Sequence, residues 1–385
     1  MIILDEPYVS DFLVDTLIKN QVPVLKSPAL KEINTENMLL LGEQDFFAHY
    51  QFNADLPLYT NSENTIALVM QYLSETSIAQ TTKVLKDKYI FRQATQSLYP
   101  GLQFSKKNIE DLSSLEEENL TYPIIVKPST GFFSMGVYKV NKPEEWPDII
   151  NQLREEQTQA SGLYPDCVIS YVDYIVEQFI PGTEFAVDAY YNQEGEPIIL
   201  NILEHLFLDD NDTRDRVYFT SKATIEKWLS VFQQELTRIG QTLTIKNYPV
   251  HVEFRVSNGQ VLPIEVNPLR FAGWCTTDIA FYAWGINPYE YYLLGKAPNW
   301  NELLDKKDDG YDCINVADIS PQINRQTIKS IRYDEFAKLF SKVHELRKID
   351  YHKHPVFSFV FSHTDSYEEM RQIIMQDFTP YLELD

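Results

Sequence analysis

The chain has 385 residues, which is enough for two or three domains with cores of their own. Its 44% hydrophobic and 23% charged residues are typical of a globular protein, and no apolar run approaches the length needed to cross a bilayer. The net charge of −23 argues against a nucleic-acid-binding surface, and it requires any site for an anionic nucleotide to gather its cations locally.

The cysteines and the N-terminus bear on location. Cys167, Cys275 and Cys313 are too few and too scattered for a disulfide framework or a zinc site. The first residues, MIILDEPYVSD, are acidic and lack the basic segment of a secretory signal. We therefore expect a cytoplasmic, reducing location and no membrane contact.

Residues 1–84 are predicted to form a small α/β domain. An amphipathic helix at roughly 9–20 separates the first two of three short apolar runs that resemble strands, at 1–4, 22–25 and 38–41. No glycine fingerprint follows the first run, so a dinucleotide site is not expected there. We interpret the domain as a scaffold that forms one wall of a substrate cleft.

Two stretches between residues 82 and 140 concentrate cations and glycines. The first, at 82–96, is basic in an acidic chain and contains Lys88; a solvated helix face is the plain interpretation. In the second, two β-type runs flank a loop whose backbone N–H groups can approach phosphate oxygens, while Lys127 can add a charge beside them. The small residues of this loop are Ser129, Thr130, Gly131, Ser134 and Gly136. Gly/Ser loops are common, so the signal is weak by itself. Phe132 and Phe133 at the loop tip suggest a lid.

The next elements are a helix at 143–160 and a strand–turn–strand segment at 174–191. An extended segment between two lobes can pair its backbone with a nucleobase edge. A carboxylate just beyond it, here Glu184, can accept both ribose hydroxyls. The alternative for Glu184 is an ordinary surface glutamate near a turn. In the mixed-charge loop at 209–220, Arg214 and Arg216 are candidates for binding a carboxylate, although such loops are usually solvated.

The most informative stretch is YPVHVEFRVSNGQVLPIEVNPLRFAGW at 248–274, which predicts a hairpin around Asn258-Gly259. A three-residue loop, 258–260, places Glu253 opposite Glu265 and His251 opposite Asn267. A two-residue loop would offset the two glutamates diagonally. Strand side chains alternate between faces, so one face carries the polar side chains and the other the apolar ones. The polar set is His251, Glu253, Arg255, Glu265 and Asn267; the apolar set is Val252, Phe254, Val256, Leu262, Ile264 and Val266.

Like charges directly opposite each other destabilise a hairpin, so these two glutamates require compensation. Mg²⁺ is a natural candidate, since it prefers oxygen ligands and is usually held by one or two carboxylates plus phosphate oxygens. The alternative is a solvated face neutralised by Arg255 and His251.

The C-terminal part is predicted as a helix at 277–294, a linker at 301–311 and a small α+β module. The module has strands near 313–316 and 356–362 and helices near 333–347 and 366–378. The sequence assigns this module no chemistry.

In chain order, Lys88, Lys127 with its loop, VEQFIPGTE and HVEFR…PIEVNP together resemble the ATP-grasp superfamily across roughly residues 85–295. The resemblance implies two α+β lobes that grip ATP, with α/β and α+β content overall. A small Rossmann-like domain at 1–84 precedes them and an α+β module at 301–385 follows. The grasp domain is predicted at 85–300, with a small lobe at about 122–180 and a large lobe at about 181–300.

The resemblance also implies roles for individual residues. Lys88 and Lys127 contact the phosphates, and Glu184 holds the ribose. Glu253, Glu265 and Asn267 ligate two Mg²⁺ (or Mn²⁺) ions, and Arg270 stabilises the reacting phosphoryl group, with His251 beside the metals. The remaining ATP contacts are the loop residues Ser129, Gly131, Ser134 and Gly136 and the adenine hinge Glu177, Gln178, Phe179 and Ile180. The two exposed phenylalanines depart from the family's small-residue loop.

These residues suit an ADP-forming carboxylate–amine ligase that works through an acylphosphate. The chain is most similar to L-amino-acid ligases that make dipeptides. Arg214, Arg216 and Arg255 suggest an acidic donor such as aspartate, and Phe271 with Trp274 an apolar acceptor such as methionine; core packing is the alternative for the two aromatics. A ligase with a different amine acceptor and a catalytically silent nucleotide sensor are the competing functions. Amino acids and ATP are the expected partners, and a homodimer is left open.

Overall fold

The computed structural model describes residues 1–53, 55–112, 121–131, 136–160, 170–208, 212 and 214–385. The N-terminal elements form a parallel sheet in the order β3-β2-β1-β4, covered by helices. The two central strands, β1 and β2, are apolar and mostly buried, whereas Leu39 of the edge strand β3 is 40% exposed. Ser10 caps the first helix by accepting a hydrogen bond from Leu13 N–H. The elements are β1 (Ile2–Ile3), α1 (Asp11–Lys19), β2 (Pro23–Leu25), β3 (Leu39–Leu41), α2 (Glu43–Phe52), β4 (Tyr59–Thr60) and α3 (Ile66–Leu73).

A second, antiparallel sheet in the order β5-β8-β6-β7 forms the small lobe. Its core is built around the fully buried Trp146 and Tyr174. Asp87 separates two helices and caps the second, because its side chain accepts from Tyr89 N–H and Ile90 N–H. The elements are α4 (Ser77–Lys86), α5 (Lys88–Ala94), β5 (Phe104–Asn108), β6 (Ile124–Thr130), β7 (Tyr138–Val140), α6 (Trp146–Ala160) and β8 (Ser170–Gln178).

The large sheet begins at the predicted hairpin and, within the described ranges, has eight strands in the order β13-β12-β9-β10-β11-β14-β17-β16. The last three come from the C-terminal part: β14 (Tyr311–Asp318), β17 (Val356–Thr364) and β16 (Lys342–Lys348). Helix α7 packs its apolar stripe, including Phe232 and Leu236, against this sheet. The elements up to residue 306 are β9 (Thr183–Tyr191), β10 (Pro197–Leu206), β11 (Val217–Thr220), α7 (Lys222–Leu243), β12 (Tyr248–Ser257), β13 (Gln260–Pro268), α8 (Ile279–Trp284), α9 (Pro288–Leu293) and α10 (Trp300–Lys306).

The C-terminal residues continue the same sheet, since β14 pairs with β11. A separate pair of strands, β15 and β18, lies beside it. The elements are β14 (Tyr311–Asp318), β15 (Ile328–Ile331), α11 (Tyr333–Phe336), β16 (Lys342–Lys348), β17 (Val356–Thr364), α12 (Tyr367–Met375) and β18 (Leu382–Leu384). The division of the chain at 84/85 and 300/301 stays a prediction, and the sheet itself runs across residue 300.

Three expectations about elements are wrong. The helix expected at 333–347 stops at Phe336, and residues 342–348 instead pair as a strand with β17. The helix expected at 277–294 is broken by Gly285, which takes a left-handed conformation before Pro288 starts α9. The expected linker contains α10, capped by Asn299. In the part of the chain that the structure describes, no helix is both long and apolar enough to span a membrane.

The turn between the two lobes predicts a glycine requirement. Gly182 has φ +115°, and a Cβ there would lie 2.2 Å from the Val256 carbonyl oxygen. Gly182→Ala should therefore lower the thermal unfolding midpoint by about 2–5 °C, through strain of roughly 2–4 kcal/mol. Gly101→Ala is the control, because nothing lies within 4 Å of a Cβ at that position. Equal midpoints for the two variants would contradict this account.

Candidate active site

The hairpin has the predicted opposition of glutamates but not the predicted turn. Asn258 and Gly259 have φ of +50° and +78°, and Ser257 pairs with Gln260, so the loop has two residues and not three. A β-bulge follows, because the pairing shifts between Glu253 and Phe254. Beyond the bulge Glu253 lies opposite Glu265, and His251 lies opposite Asn267. The bulge thus restores a register that a two-residue loop alone would offset.

The bulge also changes the apolar face. Val252, Phe254 and Val266 are buried as predicted. Pro263 takes the place opposite Phe254, whereas Leu262 lies opposite Arg255, so the placement of Leu262 on the apolar face is wrong. Ile264 is the residue the bulge leaves without a partner, and its carbonyl oxygen accepts a hydrogen bond from Arg92 Nη2 at 3.1 Å.

Glu253, Glu265 and Asn267 form the acidic face. Asn267 Nδ2 donates to Glu253 Oε1 at 3.3 Å, and Lys88 Nζ lies 3.1 Å from Glu265 Oε1. Burial raises the pKa of Glu253 well above its usual value, and repulsion from Glu265 adds to the effect. All of the available ligand atoms are carboxylate or amide oxygens, so the donor set fits Mg²⁺.

The alternative of a face neutralised by Arg255 and His251 is not supported. Arg255 Nε donates to Glu184 Oε2 at 3.0 Å, and His251 Nδ1 lies 2.7 Å from Asp188 Oδ1. The other nitrogen of His251 is 3.9 Å from Glu253 Oε1, beyond hydrogen-bond distance. Both cationic candidates are therefore engaged with other carboxylates.

Lys127 belongs to a buried ion cluster with Glu177 and Arg92. Lys127 Nζ lies 2.7 Å from Glu177 Oε1, and Arg92 Nε lies 2.8 Å from Glu177 Oε2. Burial opposes ionisation of Glu177, but the two cations outweigh it and hold its pKa at about 2. Burial lowers the pKa of Lys127, and Glu177 acts in the opposite direction. The predicted hinge residue Glu177 is thus the counter-ion of a predicted phosphate contact.

Arg270 lies in a second buried cluster. Its Nε donates to Glu63 Oε1 at 3.0 Å, and Lys86 pairs with the other oxygen of Glu63. Burial favours the neutral acid, yet the two cations lower the pKa of Glu63 to about 2. Lys86 Nζ also donates to the Gly131 carbonyl at 2.9 Å, and Lys88 donates to the same oxygen at 3.3 Å. This cluster links the N-terminal domain, α4 and the loop after β6.

His251 is oriented from behind by Asp188. Asp188 Oδ1 also accepts from Ala272 N–H at 2.9 Å, and its Oδ2 accepts from Thr277 Oγ1 at 2.7 Å. The carboxylate therefore fixes the ring and ties β9 to the segment after β13. A histidine held this way presents its second nitrogen towards the acidic face.

The predicted nucleotide contacts between 177 and 184 already have partners in the chain. Gln178 N–H and Phe179 N–H donate to the carbonyls of Gln103 and Pro123, at 3.0 and 3.1 Å. The Ile180 carbonyl accepts from Arg255 Nη1 at 3.0 Å. Glu184 contacts His205 Nδ1 at 3.0 Å as well as Arg255. Their roles towards adenine and ribose stay predictions.

The predicted phosphate-contacting segment, whose first residues form the end of β6, is described in part. Ser129 Oγ donates to Asp87 Oδ1 at 2.5 Å, and Gly136 has φ +68°. Ser134, Phe132 and Phe133 lie outside the described residues, so the predicted lid is not tested.

The predicted substrate-pocket residues do not converge on one site. Arg216 is buried, pairs with Asp318 at 2.6 Å and donates to the carbonyls of residues 374 and 376, which favours a structural role. Arg214 pairs with Asp212 at 2.7 Å. Phe271 is fully buried, and Trp274 packs edge-on against His354 with ring centroids 4.8 Å apart. Core packing is therefore the interpretation that the contacts favour for both aromatics.

Four further residues shape the site. Lys86 and Arg92 lie in the basic stretch at 82–96, so their unusual location was a usable signal. No local sequence signal marks Glu63 or Asp188, because their partners Arg270 and His251 are 207 and 63 residues away in the chain.

Comparison with known proteins identifies this architecture. Residues 120–278 match the family model of the ATP-grasp domain. Over 243 residues, 61% of its length, the chain is 25% identical to the arginine-specific large chain of carbamoyl phosphate synthase from Bacillus subtilis (strain 168). That match spans only 22% of the Bacillus protein.

Two solved structures extend the likeness along the whole chain. The L-amino acid ligase from Bacillus licheniformis superimposes with a TM-score of 0.67 at 19% identity, covering 100% of this chain and 98% of that one. The biotin carboxylase domain of Hydrogenobacter thermophilus 2-oxoglutarate carboxylase, solved with MgADP, gives 0.63 at 9% identity and covers 100% and 90%. The predicted ATP-grasp fold is confirmed.

The ion cluster around Glu177 predicts a pH-dependent stability. Glu177→Gln removes the counter-ion of two buried cations and should cost roughly 3–5 kcal/mol in urea unfolding at pH 7. Since its folded pKa of about 2 lies below the usual 4.5, the carboxylate stabilises fully above pH 4.5 and this contribution is lost as pH falls through about 2. The difference in free energy of unfolding between the wild type and Glu177→Gln should therefore become smaller below pH 4.5.

Glu302→Gln removes an exposed partner of Lys306 and is the matched control. We expect it to leave the unfolding midpoint unchanged at every pH. A Glu177→Gln midpoint equal to that of the control would show that the cluster contributes nothing.

Proposed function

We propose that this chain, which carries an ATP-grasp domain at residues 120–278, is an ATP-dependent, ADP-forming carboxylate–amine ligase that joins two L-amino acids. The observation that carries the proposal is the acidic face of Glu253, Glu265 and Asn267 lying against Lys88. Paired oxygen donors beside a buried ammonium suit a metal–polyphosphate complex, whose charges complement both. The full-length likeness to an L-amino acid ligase supports amino acids as the substrate class.

Each residue of the site has a part in this reaction. Lys88 and Lys127 would hold the phosphate oxygens, and Arg270 would neutralise the reacting phosphoryl group. Glu253, Glu265 and Asn267 would hold Mg²⁺, and by analogy with the family they would hold two ions. The metal would neutralise charge at the β- and γ-phosphates. Mn²⁺ would suit the same donors. His251, fixed by Asp188, would lie beside this face and orient its ligands.

The chemistry has two steps. A carboxylate oxygen of the first amino acid attacks the γ-phosphorus, and the bond to ADP breaks. The amine of the second then attacks the acyl carbon, phosphate leaves, and the amine loses a proton to solvent. No protein nucleophile is required, and burial raises the pKa of the Cys275 thiol to about 11, which disfavours it as one.

The finer substrate assignment is aspartate, or another acidic amino acid, as acyl donor and an apolar amino acid such as methionine as acceptor. The contacts add no support for an acidic donor, because a carboxylate of the protein already pairs with each of Arg214, Arg216 and Arg255. A different amine acceptor stays an alternative for the same site. A silent nucleotide sensor is disfavoured, because a pure binder has no need of an intact acidic face. A homodimer is part of the proposal only by analogy with the carboxylase-domain dimer.

Loss of the acidic face should abolish turnover. Glu265→Gln removes a charge from the metal ligands and should lower amino-acid-dependent ADP release by about 100-fold or more, because the phosphoryl group loses electrostatic stabilisation. ADP is measured with a coupled assay at saturating ATP and Mg²⁺. Gln260→Ala, at the exposed turn of the same hairpin, should keep wild-type turnover. Unchanged turnover in Glu265→Gln would mean that the metal site is misplaced.

Substrate class is tested by pairing. We expect ADP release with particular pairs of L-amino acids to exceed release with either amino acid alone by about tenfold or more, because the acylphosphate is consumed only when an acceptor is present. Every pair of the twenty is screened, and mass spectrometry identifies the dipeptide.

The Glu265→Gln variant is the control for contaminating ATPase in this screen. If ADP release instead requires one amino acid and an amine that is not an amino acid, the protein is still a ligase but its product is not a dipeptide. The absence of pair-dependent release from the wild type would contradict the dipeptide proposal.

A further inference from the structure

The outer strands of the large sheet bring together a cluster of histidine and aspartate side chains that the ligase reaction does not use. Asp312 lies on β14, His363 directly opposite it on β17, and His344 on β16. One ligand atom from each lies within 4.8 Å of those of the other two. We propose that these three residues bind one Zn²⁺ ion that cross-links the three strands.

The distances suit a tetrahedral ion. Asp312 Oδ1 lies 3.0 Å from His363 Nδ1 and 3.3 Å from His344 Nε2. Zinc held at about 2.0 Å from nitrogen and oxygen donors places neighbouring donors roughly 3.3 Å apart. The two measured separations are close to that edge length without any movement of the backbone.

The strand pairing positions the donors. A β-bulge between Val343 and Glu345 leaves His344 without a partner on β17. An irregular residue of this kind can turn its side chain to a position that a regular ladder would not give it. Gly310 leaves room for the other imidazole, since a Cβ there would lie 2.9 Å from His363 Nε2.

The surroundings define the ligand atoms. His363 Nε2 lies 3.4 Å from Asp365 Oδ1, the partner that a metal-bound imidazole commonly has on its second nitrogen. His363 Nδ1 is then the ring nitrogen that faces Asp312 Oδ1, at 3.0 Å. Lys307 Nζ pairs with Asp312 Oδ2 at 2.5 Å, so Asp312 would bind the metal through Oδ1 alone, as a monodentate ligand.

The donor set selects the metal. Two imidazoles and one carboxylate suit Zn²⁺ and not Mg²⁺ or Ca²⁺, which prefer oxygen ligands. The Asp312 side chain is 2% exposed, whereas those of His344 and His363 are 16% and 22% exposed. The site therefore opens to solvent on the histidine side, where water can complete the coordination.

A hydrogen-bonded triad without metal is the competing interpretation, and metal binding separates the two. The full chain, freed of any purification tag and of metal by EDTA, is titrated with Zn²⁺ in millimolar Mg²⁺, which competes with Zn²⁺ for the acidic face of the ligase site. We expect about one equivalent of Zn²⁺ per chain by calorimetry and elemental analysis. Bound Zn²⁺ should also raise the thermal midpoint by several degrees, because only the folded state holds the three donors together.

Variants locate the bound ion. His344→Ala and His363→Ala should each lower the Zn²⁺ affinity by about 100-fold or more and remove the thermal shift. Asp365→Asn alters an 88% exposed side chain, so it leaves the fold intact and should weaken binding about tenfold. His352 is an exposed histidine between β16 and β17, and His352→Ala should bind Zn²⁺ with wild-type affinity.

Stoichiometric binding that is lost in the ligand variants and kept in His352→Ala supports the site. No stoichiometric binding by the wild type overturns the proposal, as does binding that His344→Ala, His363→Ala and Asp365→Asn all leave unchanged. If circular dichroism shows that an alanine variant does not fold, the test rests on Asp365→Asn: weaker Zn²⁺ binding supports the site, and unchanged binding overturns it.

Discussion

The repulsion between Glu253 and Glu265 is the constraint that organises the site. Two carboxylates directly opposite each other on a hairpin are unfavourable, and burial makes the charged form of Glu253 more costly still. Within the described residues, the compensating charge that reaches this face directly is the ammonium of Lys88. A bound divalent cation would supply the remaining charge, so the cost of this arrangement in the free protein and its use in the proposed reaction would have the same origin.

The other cations of the cleft are held by carboxylates from distant parts of the chain. Glu63 of the N-terminal domain holds Arg270, and Glu177 of the small lobe holds Lys127. Breaking such buried pairs is costly, so each pair also fixes the relative positions of the elements that carry it. An arriving polyphosphate would compete with Glu177 for Lys127. The same ion pairs that place the cations therefore set how much of their charge is free for a ligand.

Local chemistry in the sequence predicted which hairpin residues lie opposite each other, but it predicted neither the length of the turn nor the ion pairs around the hairpin. Asn258-Gly259 predicts a tight turn, and the spacing of acidic residues predicted the opposition of Glu253 and Glu265 correctly. The loop length was wrong because a two-residue turn followed by a bulge gives the same register as a three-residue loop. Periodicity does not reveal bulges. Glu63 and Asp188 were missed because long-range ion pairs leave no local pattern. Residues 342–347 lie in a predicted helix but form part of a strand, because pairing with β17 overrides their local preference.

One sheet carries both clusters that suit metal ions, the acidic face on β12 and β13 at one end and the Asp312 cluster on β14, β17 and β16 at the other. Their donors differ in kind: carboxylate and amide oxygens at the first, imidazole nitrogens with one carboxylate at the second. Hard Mg²⁺ is selected by the first set and disfavoured by the second, whereas Zn²⁺ prefers the second. Donor chemistry would thus keep the Mg²⁺ of the proposed ligase reaction apart from the proposed strand-linking Zn²⁺, even though a continuous ladder of hydrogen bonds joins the two places.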